Sequence, residues 1–353
     1  MLTAPAATTN VTIPETGPAR YLRYLVRRCL ERPQLLLHGA KAITSPRVVY
    51  LDLAGGPSRS VMILSSQRSG STLLGEVLGH HDGQRFMFEP FWGVGVGESR
   101  NLARGRYAEP ESDDPELDRL LETVLSGRMR NLSVDRLNRS RLPRGRVIKD
   151  CYATNLGPYL AAQFPEVPLI LLLRHPVATA HSAVTLGWKE DLETFLDQED
   201  LITGQFAAQA PLLESFAAAE RHTVTSFVLR WCLENYLPVQ MLSRASTHVV
   251  FYEDLVRSGE AELERLGAFL RRRCAVTWSG WRPDPALLLQ PSSSSRRDGD
   301  GRSREELLSG WQDEVSGAEL ERSLEILEAF GLDRLFGAGP DPLVAADEVL
   351  VRP

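Results

Sequence analysis

The chain has 353 residues, of which 43% are hydrophobic, and its formal net charge of -6 comes from 40 basic and 46 acidic residues. These charges are interspersed, which argues against a general nucleic-acid-binding protein. The longest apolar run, Val167–Leu173, is far shorter than the ~20 residues that a membrane-spanning helix needs. The N-terminus has neither a basic start nor an apolar block, so we expect no signal peptide and a cytoplasmic location.

Composition divides the chain into three parts. Residues 1–40 form an N-terminal arm, residues 41–336 form one main domain, and residues 337–353 form a C-terminal tail. The arm contains a basic amphipathic helix from Arg20 to about Leu37, which can pack on the protein's own core or contact a membrane surface. Four scattered cysteines without CxxC spacing predict neither a metal site nor a disulfide framework.

Five short apolar runs predict strands, and longer helical patterns separate most of them. Such alternation indicates a single α/β domain with a central parallel β-sheet that is flanked by helices. Ligands of such a sheet bind at the carboxyl ends of its strands, so functional residues are expected just after each strand. The predicted strands are 47–53, 61–65, 146–150, 168–174 and 248–254.

The strand at 61–65 is followed by the loop Ser-Ser-Gln-Arg-Ser-Gly-Ser-Thr and then by a helical pattern. This arrangement favours a bound phosphate-like anion, because backbone N–H groups and the positive end of the helix dipole converge on it. Compared with the nucleotide motif G-x-x-x-x-G-K-[ST], Gly70 and Thr72 match, but Ser71 replaces the lysine. The loop is therefore poorly equipped for ATP hydrolysis. The alternative is a serine-rich turn that only caps the helix.

A second anion-binding segment follows the strand at 168–174. Arg174 ends this strand, His175-Pro176 turns the chain, and Ser182 lies on the next predicted helix. An arginine with a nearby hydroxyl is suited to a second phosphate. Two such segments in one chain suggest one ligand that carries anions at both ends.

These motifs, in this order, resemble the sulfotransferase family that uses 3′-phosphoadenosine 5′-phosphosulfate (PAPS). "SQRSGSTLL" is similar to its 5′-phosphosulfate loop, and "PLILLLRHPVATAHSAV" to its 3′-phosphate segment. "FMFEPFW" resembles the carbohydrate sulfotransferases, and "VIKDCYATNLGPYLAAQFPEVPLILLLRHP" the tyrosylprotein sulfotransferases. The resemblance runs from about Val61 to Trp311. It implies a P-loop NTPase-like fold and in-line transfer of a sulfuryl group from PAPS to a hydroxyl or amine.

The resemblance also implies catalytic roles. Glu89 would be the general base, and Lys149 and Arg68 would stabilise charge on the leaving phosphate. Glu89 and Lys149 could instead have purely structural roles. Glu89 would then be an ordinary loop carboxylate, and Lys149 would form an ion pair with Asp150 or Glu89. Another branch of the family uses histidine as the base, which leaves His80 and His81 as rivals.

The residues implied in donor binding face one end of the nucleotide or the other. A late serine is also implied, and the four adjacent serines 292–295 make its choice ambiguous. The donor-binding set is Arg68, Ser69, Gly70, Ser71 and Thr72 for the 5′-phosphosulfate, Arg174 and Ser182 for the 3′-phosphate, Tyr252 beside the nucleotide, and Ser295.

Several expectations stay open. The family usually has an aspartate where this chain has His175. Loop 290–304 is either a solvated charge run or a segment that closes over the nucleotide. The acceptor is a carbohydrate, a phenol or a small metabolite, with no metal and no nucleic acid required. The other functions to consider are a P-loop kinase for small hydroxyl compounds and a non-catalytic nucleotide-binding protein with a degenerate site.

Overall fold

The structure, a computed structural model, describes residues 45–47, 49–217, 222–290, 292–293 and 303–353. The predicted arm, residues 1–40 with its amphipathic helix, lies outside the described residues, as does most of loop 290–304. Pro46–Pro353 belong to one compact unit, in which Val349 and Leu350 of the predicted tail are buried. The domain boundaries stay predictions.

The sheet consists of five parallel strands, each formed by a run of residues that is almost wholly buried. The strands are β1 (Ser60–Ser65), β2 (Gln84–Phe88), β3 (Gly145–Asp150), β4 (Leu169–Leu173) and β5 (Thr247–Phe251). Their order across the sheet is β2-β3-β1-β4-β5. The chain therefore builds one side of the sheet before it crosses β1 to build the other, and ligands bind beside such a switch point.

Helices cover both faces of the sheet. They are α1 (Ser71–Gly79), α2 (Pro115–Leu125), α3 (Gly157–Gln163), α4 (Pro176–Thr185), α5 (Glu193–Leu196), α6 (Ala210–Ala217), α7 (Val224–Met241), α8 (Tyr252–Arg273), α9 (Ala275–Trp278), α10 (Arg304–Ser309) and α11 (Gly317–Ala329). Helix α8 bends at Ser258, where φ is -132° and ψ is 38°. None of the helices in the described ranges is long and apolar enough to span a bilayer. The cytoplasmic location stays a prediction.

Two apolar clusters form the core, one on each face of the sheet. Alternate residues of a strand point to opposite faces. Val61 and Ile63 of β1 accordingly pack with residues of α1 and α8, whereas Met62 and Leu64 pack with residues of α4 and α7. The predicted fold class, an α/β domain with a central parallel sheet flanked by helices, is confirmed.

Four of the five predicted strands are confirmed as β1, β3, β4 and β5, but the strand predicted at 47–53 is wrong. This segment forms two backbone hydrogen bonds with residues 141–143 and does not join the sheet. Its Leu51 and Leu53 are 58% and 50% exposed. Tyr50 of this segment is buried, and the Asp52 side chain, 7% exposed, accepts two hydrogen bonds from the Arg146 guanidinium, each 2.8 Å long.

The remaining strand, β2, was not predicted because it starts with two polar residues, Gln84 and Arg85. Both are buried, at 2% and 0% exposure. The Arg85 guanidinium pairs with Asp135 at 2.8 Å and also donates to the carbonyl oxygen of Gly127. Buried partners thus replace the hydration that the arginine loses.

Candidate active site

A single cleft of about 2320 Å³ opens along the carboxyl edge of the sheet. Nearly all the residues that the sequence predicted for donor binding and catalysis line it. Ser69 does not, because its side chain is fully buried, although its backbone belongs to the same loop. Ser295 lies outside the described residues, while its neighbour Ser292 lines the cleft. The predicted residues in the cleft wall are Arg68, Gly70, Ser71, Thr72, Glu89, Lys149, Arg174, Ser182 and Tyr252.

The loop between β1 and α1 has the backbone of an anion-binding turn. Arg68 and Gly70 both have positive φ, 68° and 87°. Gly70 is the N-cap of α1 and supplies no side-chain cap. The first N–H groups of α1 are therefore left to bind an anion, with the positive end of the helix dipole behind them.

Tyr252, the first residue of α8, packs directly on this loop. A Cβ atom at Gly70 would lie 2.4 Å from Cδ2 of the Tyr252 ring. The Arg174 guanidinium lies over the same ring, with Cζ 4.4 Å from its centroid. The loop after β1 and the ends of β4 and β5 are thus held together by ring contacts.

The two predicted anion-binding segments touch each other. Nε of Arg68 donates to Oγ of Ser182 at 3.0 Å. The Arg174 guanidinium donates to the carbonyl oxygens of Arg68 at 2.9 Å and Leu307 at 3.0 Å. Arg174 therefore connects the anion loop to α10, which follows the undescribed part of loop 290–304.

Glu89 and Lys149 form a close ion pair at the ends of β2 and β3. Nζ of Lys149 donates to Oε1 of Glu89 at 2.6 Å, and the side chains are 3% and 14% exposed. Burial by itself lowers the pKa of Lys149, but Cys151 and Glu89 outweigh it, so the pKa is raised above its ordinary value and the lysine stays charged. Glu89 has a φ of 48°, a conformation that non-glycine residues rarely adopt.

Helix α7 supports the anion loop from behind with buried polar residues that the sequence analysis did not identify. Nδ2 of Asn235 donates to Oγ of Ser66 at 2.7 Å, and Nη2 of Arg230 donates to Oε1 of Gln67 at 2.9 Å. Arg230 also pairs with Glu234 at 2.9 Å. A signal was present in the sequence, because charged residues spaced i, i+4 in an otherwise apolar helix indicate a buried pair.

His175 stands where the family usually has an aspartate, and it is wholly buried. Its Nε2 pairs with the carbonyl oxygen of Gly337 at 3.0 Å, and its ring stacks on Trp311 with centroids 4.6 Å apart. Its backbone N–H donates to Glu253 at 2.9 Å. Burial lowers the pKa of His175 to about 4, so the residue acts as a neutral connector between the end of β4 and the C-terminal segment.

The rival bases His80 and His81 lie at the C-terminal end of α1, opposite the anion loop. Nδ1 of His80 pairs with the carbonyl oxygen of Glu76 at 2.6 Å, and Nε2 of His81 pairs with that of Thr277 at 3.2 Å. Neither residue lines the cleft. Within the described residues, no three His, Cys, Asp or Glu side chains form a metal-binding cluster.

A model of the sulfotransferase family matches residues 60–275, which is more than half of the chain. The chain belongs to the sulfotransferase family. This match confirms the resemblance seen in the motifs and identifies the protein as a sulfotransferase, while the branch of the family stays a prediction. No curated protein sequence matches the chain significantly.

Solved sulfotransferase structures show weaker similarity. The sulfotransferase domain of the Synechococcus PCC 7002 olefin synthase is 20% identical, and the alignment covers 77% of this chain and 94% of that one with a TM-score of 0.39. An Alicyclobacillus acidocaldarius sulfotransferase is 14% identical over 76% and 95% of the chains, with a TM-score of 0.35. Mouse sulfotransferase SULT7A1, in complex with PAP, is 14% identical over 82% and 89%, with a TM-score of 0.35. The family assignment rests on the family match.

Replacement of Gly70 by alanine should distort the anion loop, because the new Cβ would clash with the Tyr252 ring at positive φ. We expect a loss of roughly 1–3 kcal/mol in the free energy of unfolding, measured by denaturant titration. Gly97→Ala is the matched control, since a Cβ there meets nothing within 4 Å. Equal stability of the two variants would contradict the described packing.

His175 should make stability depend on pH. Its pKa is about 4 in the folded protein and 6.5 ordinarily. At a pH between these values, His175 is therefore protonated in the unfolded chain and neutral in the folded protein. As pH falls from about 6.5 to about 4, the wild type should lose up to about 3 kcal/mol of unfolding free energy relative to His175→Gln. If denaturant titrations show that the unfolding free energies of both proteins change equally with pH, a buried, neutral imidazole is refuted.

Proposed function

We propose that this sulfotransferase moves the sulfuryl group of PAPS to a hydroxyl or amine of an acceptor, with Glu89 as the general base. The observation that carries the proposal is that one cleft contains the anion loop, the Arg174–Ser182 segment and the Glu89–Lys149 pair. Adenosine 3′,5′-bisphosphate (PAP) is the second product.

The donor has anions at both ends, and the cleft offers a cationic site for each. The backbone N–H groups of residues 69–72 and the Arg68 side chain face the 5′-phosphosulfate. Arg174 and Ser182 face the 3′-phosphate. Arg68 contacts both sites, since its side chain reaches Ser182 at 3.0 Å and its carbonyl oxygen accepts from Arg174 at 2.9 Å. A nucleotide that carries both groups satisfies the two sites together.

Sulfuryl transfer requires a base on the acceptor side and cations on the donor side. The acceptor oxygen or nitrogen attacks sulfur while the bond from sulfur to the bridging phosphate oxygen breaks, and the acceptor proton moves to Glu89. Oε1 of Glu89 accepts from Lys149, and among the described residues no hydrogen bond occupies Oε2, which is left for the acceptor. Lys149 and Arg68 stabilise the charge that grows on the leaving phosphate.

The cleft has room for an acceptor as well as the donor. Its 2320 Å³ exceeds the roughly 300–1,000 Å³ of a site for one small ligand. Beyond Glu89 the wall is aromatic, with Trp92 stacked on Tyr152 at a centroid distance of 6.5 Å and Trp188 partly exposed. Rings of this kind suit a sugar or a phenol. A carbohydrate, a phenol and a small metabolite all remain candidate acceptors.

We expect PAP to raise the melting temperature of the protein and ATP with Mg²⁺ to leave it unchanged, because Ser71 replaces the lysine of ATP-binding loops. Arg174→Ala should weaken PAP binding by about 10- to 100-fold. Arg322→Ala, which removes an exposed arginine paired with Glu325, is the control. A larger stabilisation by ATP with Mg²⁺ than by PAP would favour a kinase.

Glu89→Gln should leave PAP affinity unchanged and lower transfer of labelled sulfate from PAPS to an acceptor panel by about 10²- to 10⁴-fold. The panel contains sugars, phenols and hydroxylated metabolites. Glu122→Gln changes an exposed glutamate on α2 and serves as the control. Full sulfate transfer by the Glu89→Gln variant would rule out Glu89 as the base. If the wild type binds PAP but transfers sulfate to no acceptor of the panel, a non-catalytic nucleotide-binding protein would be favoured.

A further inference from the structure

Asp150, the last residue of β3, is a wholly buried carboxylate directly behind the Glu89–Lys149 pair. It accepts three backbone hydrogen bonds. Oδ2 accepts from Phe91 N at 2.9 Å, and Oδ1 accepts from Tyr152 N at 2.6 Å and Ala153 N at 3.0 Å. A buried carboxylate is costly unless such donors satisfy it, and three backbone N–H groups satisfy this one. It does not line the cleft and cannot contact a substrate there.

On the Oδ2 side, Asp150 holds the turn that carries Glu89. This turn runs from Glu89 to Trp92 and is closed by a hydrogen bond from Trp92 N to Glu89 O at 3.2 Å. Its first residue, Glu89, has the unusual φ of 48°, a conformation that strains a non-glycine residue. Besides the Glu89–Lys149 ion pair, two backbone N–H groups of the turn bind to β3, Glu89 N to Lys149 O at 2.7 Å and Phe91 N to Oδ2 of Asp150 at 2.9 Å. Of these two backbone donors, only Phe91 N has a side-chain acceptor, which a substitution can remove.

On the Oδ1 side, the same carboxylate fixes the backbone of Tyr152. The hydroxyl of Tyr152 accepts a hydrogen bond from Nε2 of Gln67 at 3.0 Å, and its ring stacks on Trp92. One side chain therefore sets the relative positions of the base, the aromatic wall of the acceptor region and the end of β3.

We propose that Asp150 is a positioning residue for sulfuryl transfer, which through Phe91 N holds Glu89 in the conformation that aims its carboxylate at Lys149 and the acceptor. This inference rests on the proposed function, because Glu89 needs exact placement only if it removes the acceptor proton. Misplacement of a reacting group by about 1 Å is enough to lower a rate about 10²-fold.

The test compares Asp150→Asn with Asp135→Asn. Asparagine keeps the size of Asp150 but has one acceptor oxygen, so it cannot accept from Phe91 N and from the Tyr152 side at once. Asp135 is an equally buried carboxylate, bound to Arg85 and Tyr50 and absent from the cleft wall. The same chemical change at Asp135 controls for general loss of buried hydrogen bonds.

The first readout is hydrogen exchange, which needs no acceptor. In Asp150→Asn the amides of Glu89, Phe91 and Trp92 should exchange at least about 10-fold faster than in Asp135→Asn, while PAP binds both variants within about 3-fold of the wild type. Unchanged exchange at these three amides would overturn the proposal. So would an Asp150→Asn chain that fails to fold and bind PAP while Asp135→Asn does, since Asp150 would then serve the fold.

The second readout is turnover of PAPS with the best acceptor of the panel. Asp150→Asn should lower kcat by about 10²-fold with little change in KM for PAPS, and should add no further loss in the Glu89→Gln background. Faster exchange with unchanged kcat would overturn the positioning role. If Glu89→Gln keeps full activity while exchange in Asp150→Asn is faster, the proposed base fails and the contact between Asp150 and the turn still stands, so the two failures are distinguishable.

Discussion

The carboxyl ends of all the strands in a parallel sheet lie at the same edge, and this constraint brings the residues of the site together. The register of β2 on β3 places Phe88 opposite Lys149. Glu89, the next residue along the chain, therefore emerges beside Lys149, and their side chains meet at 2.6 Å. The anion loop after β1 and the arginine after β4 emerge at the same edge for the same reason. No single loop contains the site.

The backbone is strained at two of the residues that we propose take part in the reaction. Arg68 and Glu89 both have positive φ without being glycine. Such conformations persist only where the surroundings hold them. Polar residues of α7 hold the loop that contains Arg68, and the end of β3 holds the turn that contains Glu89. The cleft wall therefore depends on buried polar groups, among them Asn235, Arg230 and Asp150, that do not line the cleft themselves.

The sequence contained enough information for the fold class and for most of the cleft wall. Apolar runs such as 168–174 identify buried strands directly, and several residues that follow these strands line the cleft. The same rule failed at 47–53, where alternating apolar residues face outward because Asp52 is held by Arg146. It also missed β2, since a buried arginine satisfied by Asp135 looks in sequence like a surface residue.

The long-range partners within the site were not predictable in the same way. The hydrogen bond from Phe91 N to Asp150 joins residues 59 apart in sequence, and that from Arg230 to Gln67 joins residues 163 apart. Neither is encoded in any local spacing. The hydrogen bond between Arg68 and Ser182 could likewise not be predicted, although each of the two residues was expected in the site.

A crystal structure of the wild type with PAP would show whether one nucleotide bridges the two anion-binding segments. We expect the 5′-phosphate at the backbone N–H groups of residues 69–72, the 3′-phosphate within hydrogen-bond distance of Arg174 and Ser182, and Glu89 still facing the open side of the cleft. A nucleotide that places only one phosphate at these residues, or that binds elsewhere along the cleft, would contradict the assignment of this edge of the sheet to a doubly charged donor.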